Sequence, residues 1–82
     1  MGTIVWKLAE TLRRYDLRPR DVETEAIRLG YGIGRNTIYR VLKAGGPANV
    51  NRATLAALLA GLRSLTGEAI AVADILEYLD AA

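Results

Sequence analysis

The sequence predicts an all-α protein: one compact bundle of five short helices, with a helix-turn-helix formed by the second and third. Three observations lead there. Apolar residues recur at helical spacing in five separate stretches, and alternating strand-like patterns are nearly absent. Glycine, proline and asparagine punctuate the chain between those stretches. Finally, 82 residues, 51% of them apolar, suffice for one core and one domain over 1–82, with no linker or repeat.

The first predicted helix covers 4–15, with Val5, Leu8, Ala9 and Leu12 on one stripe and Lys7, Glu10 and Arg14 opposite. Pro19 suits the first turn of a second helix over 19–29, where its missing N–H costs nothing. Val22, Ala26 and Leu29 form its inner stripe, and Asp21, Glu23 and Glu25 favour its positive end. Gly30, Gly32 and Gly34 mark a turn, with Tyr31 or Ile33 as its plug into the core. A third helix over 35–43 turns Ile38, Val41 and Leu42 inward, and Gly45-Gly46-Pro47 stops it. Asn49 or Asn51 caps a fourth over 52–65, whose stripe of Leu55, Leu58, Leu59, Leu62 and Leu65 is the strongest in the chain. Thr66-Gly67 closes it. An acidic fifth helix over 72–79 is expected from Val72, Ile75, Leu76 and Leu79, either completing the core or joining two copies. The bundle proper spans 4–65. Trp6, Tyr15 and Tyr78 read as packing residues.

Composition excludes several classes of chemistry. Without cysteine there is no disulfide, thiol nucleophile or thiolate metal site, and without histidine the commonest base and metal ligand are missing. The carboxylate pairs Glu23/Glu25 and Glu77/Asp80 fall on diverging or solvated positions, so no catalytic residue, metal or cofactor is expected. The longest apolar run, 55–62, is far shorter than the roughly 20 residues of a spanning helix. No secretory h-region is seen, so a cytoplasmic protein without a membrane or small-molecule partner is expected.

Charge is divided unevenly. All eleven lysines and arginines lie between Lys7 and Arg63 with five acids, a net charge of +6, while the last nineteen residues carry four acids and no base. A basic body points to a polyanionic partner. The third helix concentrates it: Arg35, Asn36, Tyr39, Arg40 and Lys43 share the outer surface with Thr37 at the margin, and no acid occurs between Glu25 and Glu68. Arginine pairs bidentately with guanine and asparagine with adenine, while hydroxyls and lysine reach phosphates. A helix, a tight turn and a helix opening Arg-Asn-Thr form the arrangement of a major-groove reader. Arg18 and Arg20 flank the start of the second helix, and Lys43, Asn49, Asn51 and Arg52 surround the loop after the third. Arg18, Arg20, Lys43, Asn49 and Arg52 are placed to hold phosphates, whereas Asn51 reads as a helix cap and Arg63 as plain surface.

The run Gly34-Arg35-Asn36-Thr37-Ile38-Tyr39-Arg40-Val41-Leu42 resembles the recognition helix of Cro/repressor-type (XRE-like) helix-turn-helix regulators. Val50-Asn51-Arg52-Ala53-Thr54-Leu55 is similar to the start of that family's fourth helix. Ala26-Ile27-Arg28-Leu29-Gly30 is similar to the end of its second. The resemblance covers roughly 8–65. It implies a transcriptional regulator binding double-stranded operator DNA, usually as a homodimer on inverted repeats. By the same resemblance Arg35, Asn36 and Arg40 read bases, Thr37 and Tyr39 flank them, and Gly34 is the N-cap. The five steps from Gly30 to Arg35 make the turn longer than is usual in that family. The alternative expectation is a protein-interaction module of the same shape, an antitoxin-like subunit or adaptor, which an exposed apolar patch would mark.

Overall fold

A computed structural model describes residues 2–43 and 51–80, except for the side chain of Arg35. In order, the elements are β1 (Thr3–Trp6), α1 (Leu8–Arg14), α2 (Pro19–Arg28), α3 (Arg35–Leu42), α4 (Arg52–Thr66), a 3-10 turn (Val72–Asp74) and β2 (Leu76–Leu79). Among the described residues there are thus four α-helices and a two-stranded sheet, not five helices.

Both ends of the chain overturn the all-α expectation. The first helix begins at Leu8, because Thr-Ile-Val-Trp extends as β1. The fifth helix is replaced by the 3-10 turn and β2, which pairs antiparallel with β1 in the register Thr3↔Leu79, Ile4↔Tyr78, Val5↔Glu77 and Trp6↔Leu76. The Lys7 N–H continues the ladder, donating to the Ile75 carbonyl at 2.7 Å. β-Branched and aromatic residues gain more from such a half-buried pleat than from a short, poorly nucleated helix. The pattern at 72–79 fitted a helix, yet only Ile75 of that stripe is buried, and Val72 and Leu79 are exposed.

The core is one cluster made of Leu8 and Leu12 of α1, Val22 and Ala26 of α2, Ile38 and Val41 of α3, Ala57, Leu58 and Leu62 of α4, and Ile33, Ile70 and Ile75 from the connections. Trp6, Tyr15, Leu17, Leu42, Leu55 and Leu59 pack around it half-buried. Several stripe positions of the first four predicted helices fall outside it: Val5 lies half-buried in β1, Ala9, Leu29 and Leu65 are exposed, and Thr11 is buried instead. The Thr11 hydroxyl donates to the carbonyl of Asp74, tying α1 to the 3-10 turn. Tyr78, expected to pack, is 61% exposed.

Among the helices, α2 and α4 pack most extensively, and Gly61 allows their close approach. A Cβ at that position would meet the Val22 carbonyl at 3.2 Å and Val22 Cγ1 at 3.3 Å. At the far end of the same helix pair, Arg28 donates from Nε and Nη2 to the two carboxylate oxygens of Glu25 at 2.8 and 2.6 Å. The Ser64 hydroxyl of α4 also donates to Glu25. These bonds to the charged form, the Arg28 bond first and the Ser64 bond second, lower the Glu25 pKa from 4.5 to about 2.

Candidate nucleic-acid interface

The turn between α2 and α3 is built from two local devices. Gly30 ends α2 with φ +96°, a conformation that favours glycine. Around it the Tyr31 N–H bonds the Ala26 carbonyl and the Gly30 N–H bonds that of Ile27, both at 2.9 Å. That pairing is a Schellman closure. Next, Ile33 is the residue that enters the core, while Tyr31 stays exposed. The extra length of the turn therefore places one apolar anchor between the helices, and Gly34 then caps α3 with extended backbone.

α3 presents two faces. Ile38 and Val41 are buried and Leu42 is half-buried, which holds the helix against the core. Asn36, Tyr39, Arg40 and Lys43 are exposed on the other side, with Thr37 intermediate. The outward set matches the sequence expectation for these five residues. Arg35 occupies the first helical position, and its side chain lies outside the described residues.

α2 joins this surface at its N-terminus. Arg18 is the N-cap residue, and Pro19 opens the helix. The Arg18 N–H donates to Asp21 Oδ2 at 2.9 Å, so the Asp21 carboxylate satisfies part of the helix's positive end. The Arg18 and Arg20 side chains remain exposed. Pro19, Arg20 and Glu23 of α2 line a shallow cleft with Ile38 and Tyr39 of α3. The first turn of α2 and the outer side of α3 are therefore one continuous surface. Sequence reasoning did not place Glu23 there. Its i, i+3 spacing from Arg20 was the available signal.

Arg52 is exposed at the start of α4, and Asn51 caps that helix, its Oδ1 accepting from Ala53 N at 2.8 Å and Thr54 N at 3.4 Å. Asn49 lies outside the described residues. Arg63 is more than plain surface, since its Nε donates to the Ile70 carbonyl at 2.7 Å and anchors the segment after α4.

Ion pairs sort the charges. Among the described residues, carboxylates engage Lys7 (Glu77, 3.5 Å), Arg14 (Asp74, 3.8 Å) and Arg28 (Glu25, 2.6 Å). All three pairs lie off α3. No described carboxylate comes within ion-pair distance of Arg18, Arg20, Arg40, Lys43 or Arg52. Two acids of the C-terminal stretch, Asp74 and Glu77, thus lie against Arg14 and Lys7 and not against α3. Among the described residues these five cations have no ion-pair partner, although the Glu23 carboxylate lines the cleft beside Arg20.

Two of the carboxylates considered for acid–base chemistry, Glu25 and Glu77, are held in these pairs. Among the described residues no group of three or more histidine, cysteine, aspartate or glutamate side chains is placed to hold a metal. No helix among them is long and apolar enough to cross a membrane. Comparison with models of protein families, with curated proteins and with solved structures finds no match to this chain.

Proposed function

We propose that this chain is a cytoplasmic double-stranded DNA-binding module of helix-turn-helix type, a small transcriptional regulator whose α3 enters the major groove. The observation that carries the reading is the outer side of α3. Asn36, Tyr39, Arg40 and Lys43 are exposed there on a helix anchored by Ile38 and Val41, and Arg40 and Lys43 lack a carboxylate partner among the described residues. In this reading Arg35, Asn36 and Arg40 reach base edges, and Thr37 and Tyr39 flank them. Arg18, Arg20, Lys43, Asn49 and Arg52 hold the backbone. Asp21 already occupies the positive end of α2, so the phosphate contacts there fall to the arginine side chains.

Selection from a random duplex library, followed by binding assays on the enriched sequence, tests the reading. Arg40→Ala should weaken binding of that sequence by about 1–3 kcal/mol and relax preference at one base position. Enrichment of no sequence, or an Arg40→Ala variant with the parent's preferences, would remove α3 as the reader.

A second reading has its own observation. Ile27, Leu29 and Tyr31, at the end of α2 and the start of the turn, are all exposed. An apolar stretch of this kind marks a protein-interaction surface. It supports the adaptor or antitoxin-like alternative, in which duplex binding would be weak and without sequence preference.

A further inference from the structure

The outer side of α3 carries an aromatic ring that charge does not explain. Tyr39 is 49% exposed, between Asn36 one turn before it and Lys43, the residue that closes the helix. Asn36, Arg40 and Lys43 are exposed too, and they end in polar groups that water solvates well. The tyrosine ring instead leaves apolar surface in water, where burial would be favourable. A single exposed ring is ordinary on a protein surface. This one stands in the middle of the basic row, so whatever docks on those cations must also meet it.

The ring is held in place. Its neighbour Ile38 is buried, and Ile38 and Tyr39 line a cleft with Pro19, Arg20 and Glu23 of α2. Half of the tyrosine's surface is already covered, and the side chain has only two torsions to fix, so contact costs it little further freedom. Base edges in the major groove offer donors, acceptors and one kind of apolar group, the C5-methyl of thymine. An exposed ring on the groove side of a helix has its complement there and nowhere on the phosphates.

Granted the DNA-binding reading above, on which this rests, we infer that Tyr39 is a specificity-determining residue whose ring covers the C5-methyl of a thymine. Asparagine pairs bidentately with adenine, and side chains three apart on a helix are about 5–6 Å from each other. Successive bases of one strand are about 3.4 Å apart. The thymine met by Tyr39 therefore falls within about two base pairs of the adenine met by Asn36. The Tyr39 hydroxyl has a rival use, donation to a phosphate, and ring and hydroxyl are separable by experiment.

The sequence enriched from a random duplex library is rebuilt with deoxyuridine replacing each thymine in turn, which removes one methyl and keeps every hydrogen-bonding group. For the parent chain, one replacement should weaken binding about three- to fivefold, the worth of one buried methyl. For Tyr39→Ala, with circular dichroism like the parent's, that replacement should no longer matter. For Tyr39→Phe, which keeps the ring, it should matter as much as for the parent. Crossing the protein change with the DNA change isolates the contact between ring and methyl from other losses. Three outcomes overturn the inference while leaving α3 as a DNA reader. They are an enriched sequence without thymine, a parent indifferent to every deoxyuridine, and a phenylalanine variant that loses the effect as alanine does. Enrichment of no sequence removes the DNA-binding reading itself, and the thymine contact with it.

Discussion

Gly61 sets how closely α4 approaches α2, and replacing it should change stability little for a methyl and a great deal for a large side chain. In Gly61→Ala the new Cβ would sit 3.2 Å from the Val22 carbonyl oxygen, 3.3 Å from Val22 Cγ1 and 3.6 Å from Ala26 N. Alanine favours the helix over glycine by about 0.8–1.0 kcal/mol, and the buried methyl contributes roughly another 0.8 kcal/mol. Against this stands an overpacking cost of about 1–3 kcal/mol, because the nearest atom belongs to the backbone of α2. The sum leaves Gly61→Ala within about 1.5 kcal/mol of the parent. Gly61→Leu pushes three more carbons toward the same backbone. α2 cannot retreat without loosening the buried cluster of Val22, Ala26, Leu58 and Leu62. A loss of at least about 3 kcal/mol is expected, a large share of what holds a domain of this size. Urea denaturation followed by circular dichroism measures both variants, with the slope checking that the transition stays two-state. A leucine variant with the parent's midpoint and slope would refute the close approach at Gly61.

Other outcomes follow from the turn, the ion pairs and the basic surface. Gly30→Ala should cost about 1–2 kcal/mol, since φ +96° is strained for an L side chain, while Gly34→Ser should gain a few tenths by supplying an N-cap acceptor; thermal melts that rank the two alike would contradict this account of the turn. Glu25 is bound as a carboxylate in the folded chain, with a pKa of about 2 against 4.5, so its contribution is complete above pH 4.5 and is lost as the pH falls toward 2. Glu25→Gln should therefore flatten the acid side of the stability curve, and parallel curves for parent and variant would show that the Arg28 and Ser64 bonds contribute nothing. For DNA binding, four phosphate-directed cations per chain (Arg18, Arg20, Lys43 and Arg52) predict a slope of log K on log salt of about −3 to −4. Arg20→Ala should reduce that slope by about 1 without changing base preference, and an unchanged slope would take Arg20 off the phosphate path.

Much of the helical interior was legible from local rules. The stripes of α3 and α4, proline at the start of α2, Asn51 as a cap and Gly67 as a stop are all decided within one or two helical turns, where sequence neighbours are also spatial neighbours. The outward set of α3 was legible for the same reason: once Ile38 and Val41 face the core, Asn36, Tyr39, Arg40 and Lys43 have only the other side. Which of Tyr31 and Ile33 would enter the core was not, because a turn has no periodicity to read.

The ends of the chain belong to tertiary structure. Val72, Ile75, Leu76 and Leu79 satisfy the helical period, yet Leu76–Leu79 is extended because Thr3–Trp6 lies beside it. Nothing local encodes a partner about seventy residues away, and short apolar stretches fit either period until one is present. The same holds for the cleft joining Arg20 and Glu23 to Tyr39, the ion pairs that carry the acidic tail to Lys7 and Arg14, and the contact that requires glycine at position 61. By itself the sequence determined which faces are apolar and where most helices begin and stop. Packing decided which faces meet, because that depends on distances between residues remote in the chain.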